Sequence, residues 1–238
     1  MRDREIDDIL KRAAGGAPEV DPALLERIAE SVSSSAQPVR PLAAPWILTG
    51  ALVAICGAVA VAGAMLVKPY GVRKMNAVEI GLLFAVLGVL VWTSSMVSVA
   101  EMIPGRRRLV APWLLCVGSC LAMAGVFGLL FDDYRMEGFV PLGVACLKAG
   151  VLLALPAGVA TWWLLGRGFA VNSAAAGLAK GTLAGLAGLT MLELHCPIFQ
   201  APHALVWHIA VLPVCGLAGM LVSAAGASRA WRSHSWLP

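Results

Sequence analysis

The chain has 238 residues, 59% of them hydrophobic and 13% charged, against about 45–50% and about 25% in an ordinary soluble domain. That apolar excess excludes a disordered chain, and 25 glycines without a period of three exclude collagen. With a formal charge of only +4 and a mean hydropathy of +0.81, a membrane protein remains.

The charge is unevenly divided. Residues 1–36 hold five basic and eight acidic side chains, a net of −3, so the rest of the chain carries +7. No apolar run closely follows the first basic residues, which argues against a cleaved signal peptide. Within this polar head, Ile6, Ile9, Leu10 and Ala13 fall at i, i+3, i+4 and i+7 and predict a short amphipathic helix. Asp21 and Pro22 read as the N-cap and first residue of a second helix, whose stripe is Leu24, Leu25, Ile28 and Val32 before Ser33, Ser34, Ser35 and Pro38 end it. Two such helices bury too little to fold alone and need something to pack on. A lipid surface is one candidate. The acidic balance favours instead a basic protein partner, such as a nucleic-acid-binding factor, held helix-in-groove.

Six apolar runs follow, near residues 46–67, 77–99, 109–131, 139–165, 169–194 and 204–224, each long enough to cross about 30 Å of hydrocarbon as helix. The expected fold is therefore all-α: a six-transmembrane-helix bundle at 46–224, a short amphipathic helical segment at 1–45, and a tail at 225–238. With the N-terminus inside, the inner flanks carry Arg40, Arg106, Arg107, Arg108, Arg167, Arg229 and Arg232, and the outer flanks Lys68, Arg73, Lys74 and Arg135. Seven positive charges against four favour cytoplasmic termini.

Four ionisable residues fall within the spans: Glu79, Lys148, Lys180 and Glu193. Such groups are costly and face the bundle interior, a polar cavity or the interface. Lys148 and Glu193 can pair, or Lys148 can snorkel while the carboxylates reach the interface. Tracing chain direction puts Cys146 and Cys196 at similar depth in the outer half of the bundle. They are the candidate sensing pair, whereas Cys116 and Cys120, one turn apart, read as packing. His195, His203 and His208 lie near Cys196. A thiolate with imidazoles suits zinc or another soft metal, with Cys146 completing a tetrahedron. The five-residue step from His203 to His208 argues against this, because it turns the two rings to different sides of an α-helix. Gly177, Gly181 and Gly185 recur every fourth residue of the fifth span and predict close helix packing. The chain has no P-loop, Cys-x-x-Cys, His-Glu-x-x-His or nucleophile elbow, so an enzyme is not expected.

The acidic head, the six spans, Cys146-Leu147-Lys148-Ala149-Gly150 with Ala154-Leu155-Pro156, the Gly-rich fifth span and Leu194-His195-Cys196-Pro197 together resemble the NrsF family of membrane anti-sigma factors. The resemblance implies an inner-membrane protein whose head holds an extracytoplasmic-function (ECF) sigma factor, without touching nucleic acid itself. It also implies that Cys146 and Cys196 correspond to the family cysteines tied to stress sensing. The longer second head helix, His203 and His208 depart from the family pattern. The rival reading is a small-solute or ion transporter, favoured by Lys148, Lys180 and Glu193 within the spans and by Pro156 and Pro213. The lack of an internal repeat between the first and last three spans counts against it.

Overall fold

The computed structural model describes residues 8–9, 11, 21–35, 43–106, 110–166 and 168–234, the side chains of 35 and 227–234 excepted. Ile6, Leu10 and Ala13 of the first head stripe lie outside the described residues, as do Arg40, Arg107, Arg108 and Arg167. The chain divides into two units, residues 1–41 and 42–238.

In the first unit, α1 spans Pro22–Ser35. Asp21 supplies its start: the side chain accepts from the Ala23 N–H at 3.0 Å, and the carbonyl from the N–H groups of Leu24 and Leu25. Proline at the first helical position gives up no hydrogen bond there, since that N–H has no partner within a helix. The serines form its last described turn, with the hydroxyls of Ser33 and Ser34 donating to the carbonyls of Glu30 and Ser31. Leu24, Leu25, Ile28 and Val32 are all exposed, as is Ile9.

The second unit holds α2 (Pro45–Val67), α3 (Ala77–Ala100), α4 (Pro112–Leu130), α5 (Phe139–Leu165) and α6 (Ser173–His195). A last composite span follows, made of the one-turn α7 (Ala201–His203), a π-helical turn (Ala204–His208) and α8 (Val211–His234). Six helices are long and apolar enough to cross a membrane, and no strand occurs among the described residues. The chain reads as a multi-pass membrane protein.

Burial singles out one helix. Of the most apolar stretch of α6, 78% is buried, against 22–33% for the other five. α6 touches α2, α3, α4, α5 and α8, so it is the axis of the bundle and its neighbours turn apolar side chains outward, as lipid requires. Its glycines make this possible. A Cβ at Gly177 or Gly181 would run into the backbone carbonyl of Gly219 or Cys215 on α8, and one at Gly185 would press on Val211 and Leu212. The stripe is thus a backbone-to-backbone seam, the close approach that small residues permit where no hydrophobic effect drives helices together.

Helix ends follow local chemistry. Asn76 and Glu79 form a capping box at the start of α3, each side chain accepting from the other's backbone N–H. That accounts for Glu79. Asn172 caps α6 through the Ala175 N–H. Lys180 lies over the Trp162 ring of α5, 5.2 Å from its centroid, a cation–π contact in an apolar setting.

Candidate metal centre

At the C-terminal end of α6 the chain turns abruptly. Cys196 follows the last helical residue, its N–H donating to the Leu192 carbonyl at 2.7 Å, and Pro197 cannot prolong the helix. Two loops are fastened to this turn. The α2–α3 loop donates from Gly71 to the His195 carbonyl and from Val72 to that of Leu194. Any side chain at Gly71 would strike backbone, since a Cβ would lie 2.6 Å from the Cys196 oxygen. The α4–α5 loop accepts the Ala201 N–H on the Asp133 carbonyl at 2.8 Å, while the Arg135 guanidinium holds the Asp133 carboxyl below the usual carboxylate range.

The composite last span then brings two histidines together. Pro213 has no N–H to give the Ile209 carbonyl four residues earlier, and that carbonyl accepts from Leu212 instead. Just upstream the ladder widens, with the Ile209 N–H reaching the Ala204 carbonyl in an i to i−5 bond. In an α-helix, residues five apart diverge by about 140°; the widened turn narrows that angle. His203 and His208 meet edge to face, 5.1 Å between ring centroids. The five-residue step therefore does not keep the pair apart, because the backbone between the two rings is π-helical rather than regular α-helix.

Cys146, two turns into α5, faces these rings. Its sulfur lies 3.6 Å from that of Cys196, and the Cys196 sulfur lies 3.8 Å from Nε2 of His203. Both cysteines are thiols. One ligand-capable atom from each of Cys146, Cys196, His203 and His208 falls within 4.8 Å of all the others. Cys196, His203 and His208 are buried and Cys146 half-buried. A buried Cys2His2 cluster of this kind can hold a metal ion.

Two expectations are corrected here. His195 is not in the cluster: its Nδ1 meets the Lys68 carbonyl at 2.8 Å, and two residues along a helix turn it about 200° from Glu193. Glu193 pairs with His208 rather than with Lys148. Its Oε1 accepts from Nδ1 of His208 at 2.6 Å, both side chains being 2% exposed, whereas Lys148 lies on the exposed side of α5. Sequence reasoning flagged Glu193 only as an ionisable residue near a helix end. Its fifteen-residue separation from His208 carries no local signal.

The surroundings are apolar and aromatic. Phe127 stands edge-on to His208 at 6.3 Å between centroids, and Phe131 packs on both Phe127 and Phe199. Within this shell Nε2 of His208 is buried without a hydrogen-bond partner, as is Nε1 of Trp207 beside Phe139 and Gly143. By contrast, Cys116 and Cys120 sit on α4, near the middle of the bundle, with Cys116 beside Gly216 of α8.

Comparison with curated proteins and with solved structures finds no match to the chain. The family model described as NrsF, negative regulator of sigma F, matches residues 32–226, from the end of α1 through all six long apolar helices. With most of its length and its whole helical bundle covered by that match, the chain belongs to the NrsF family, negative regulators of a sigma factor.

Proposed function

We propose that the protein is an anti-sigma factor of the bacterial inner membrane, with both termini cytoplasmic, that sequesters an ECF sigma factor through residues 1–45 and releases it under stress. Membership of a family of sigma-factor regulators carries this reading. The exposed stripe of α1, Leu24, Leu25, Ile28 and Val32, supports the docking role, since an apolar face on an otherwise charged helix is the form of a helix-in-groove contact. Burying several such side chains contributes about 1.5–3 kcal/mol each before ordering costs.

On this reading the stress acts at Cys146 and Cys196, in the outer half of the bundle. Two chemistries fit a thiol pair: an external oxidant takes two electrons and two protons and leaves a disulfide, or a soft metal binds the thiolates. Either ties α5 to the end of α6. Because α6 packs on every other bundle helix, its displacement is felt at the cytoplasmic ends, where it favours the sigma-free state. A ligand acts this way only by binding the two states with different affinity.

The test is capture of the sigma factor encoded beside this chain by the full-length protein in detergent, reduced and free of metal. Ile28→Asp and Ile9→Asp should each weaken capture at least about tenfold, equivalent to about 1.4 kcal/mol. Capture of no sigma factor by the parent, or unchanged capture by both variants, overturns the docking role.

A further inference from the structure

We infer that Cys146, Cys196, His203 and His208 form a tetrahedral site for a zinc-group divalent cation, and that Glu193 is its positioning residue, fixing His208 so that Nε2 faces the metal. The inference deepens the sensing reading of Cys146 and Cys196, on which it rests, by naming the full ligand set and the ligand.

The geometry is close to that of a filled site. Zinc–sulfur bonds of about 2.3 Å and zinc–nitrogen bonds of about 2.0–2.1 Å at tetrahedral angles put neighbouring ligand atoms about 3.3–3.8 Å apart. The Cys146–Cys196 separation is 3.6 Å and the Cys196–His203 separation 3.8 Å, and the whole set lies within 4.8 Å.

Glu193 makes the site more than four proximate residues. A carboxylate accepting from Nδ1–H fixes the imidazole tautomer in which Nε2 bears the lone pair, the arrangement that accompanies most metal-bound histidines. Nε2 of His208 is buried with no hydrogen-bond partner. A buried ring nitrogen that makes no well-formed hydrogen bond in an apolar, aromatic shell is costly, and a bound cation removes that cost. On binding, the two thiols release their protons to solvent, and the two thiolates offset the charge of a divalent ion. The filled site joins α5, the turn after α6, and both α7 and the π-helical turn of the last span. His195, held by the Lys68 carbonyl, takes no part.

Metal content and spectrum of the purified full-length protein in detergent test this without any sigma factor present. The parent should retain about one Zn2+ per chain, and Co2+ in its place should give the intense visible bands and thiolate charge transfer of a tetrahedral centre. Glu193→Gln should weaken Zn2+ binding about 10–100-fold while the tetrahedral cobalt spectrum persists at saturation. His203→Ala and His208→Ala should lose that spectrum, and His195→Ala should match the parent. A parent that holds no zinc and gives only octahedral cobalt overturns the site, as does loss of binding in His195→Ala equal to that in His208→Ala. Unchanged affinity in Glu193→Gln overturns the positioning role. Sigma capture by the same parent, reduced and stripped of metal by a chelator, separates the readings: capture by a protein that takes up no metal defeats the site alone, and a protein that takes up metal yet captures no sigma factor when stripped defeats the anti-sigma reading alone.

Discussion

The two ends of α6 solve opposite problems with one helix. Toward its start, Gly177, Gly181 and Gly185 work by having no side chain, and the backbones of α6 and α8 meet. Hydroxyls along the helix are satisfied locally, Thr182 and Thr190 donating to the carbonyls of Leu178 and Leu186. At its finish, Glu193 and Cys196 work by the chemistry of their side chains, within a shell that leaves Nε2 of His208 without a partner. A buried stretch whose hydroxyls are answered within the helix is built for packing. One that gathers thiols, imidazoles and a carboxylate, and leaves a ring nitrogen open, is built to receive something.

The largest effect should come from breaking the packing end. Gly181→Leu drives a side chain into the Cys215 carbonyl, which as backbone cannot swing aside. The destabilisation should reach or exceed the upper part of the about 1–3 kcal/mol typical of overpacking. Gly88→Ala is the counterpart. Nothing lies within 4 Å of its Cβ position, and alanine is the better helix former by about 0.8–1.0 kcal/mol, so stability should hold or rise. Thermal unfolding in one detergent decides both, and a Gly181→Leu protein as stable as the parent would remove the seam from the account.

The next contrast is between cysteines. Cys146→Ser and Cys196→Ser should each keep the sigma factor bound under the inducing stress, while Cys116→Ser and Cys120→Ser should release it normally. Moving a two-state balance from 1:99 to 99:1 takes about 5.5 kcal/mol, within reach of a disulfide or a thiolate–metal bond and not of a packing contact. Thiol labelling before and after stress gives the direct readout. Equal reactivity of Cys146 and Cys196 throughout release would assign them to packing.

What the sequence made legible follows from the range of each signal. The six long helices are visible because lipid demands uninterrupted apolar runs, and the start of α1 because Asp21-Pro22 acts within one turn; the caps at Asn76-Glu79 and Asn172 were not read, and the fifth long helix begins at Ser173 rather than at 169. The glycine seam is visible because its period is that of the helix. The cluster was only half visible. Cys146 and Cys196 share a depth that chain direction alone predicts, but the Glu193–His208 bond joins two spans at a separation no periodicity encodes. The meeting of His203 with His208 needs a π-helical turn, whose cause, Pro213, stands five residues beyond the second ring. Read as α-helix, the histidines diverge; read with the proline, their five-residue step is that of the widened turn.

The smallest expected effect separates the partner that sequence suggested for Glu193 from the one it has. A Lys148–Glu193 pair buried in hydrocarbon would make Lys148→Leu severe, because removing one partner strands the other's charge at a cost of about 3–5 kcal/mol. Glu193 is held instead by His208 at 2.6 Å, and Lys148 projects from the exposed side of α5, where its long chain can carry the ammonium toward the interface. Lys148→Leu should therefore leave stability within about 0.5 kcal/mol of the parent, and zinc content and sigma capture unchanged. Thermal unfolding and metal analysis of that variant beside Glu193→Gln complete the comparison. A Lys148→Leu protein that loses zinc as Glu193→Gln does would restore the lysine to the site and displace His208 as the carboxylate's partner.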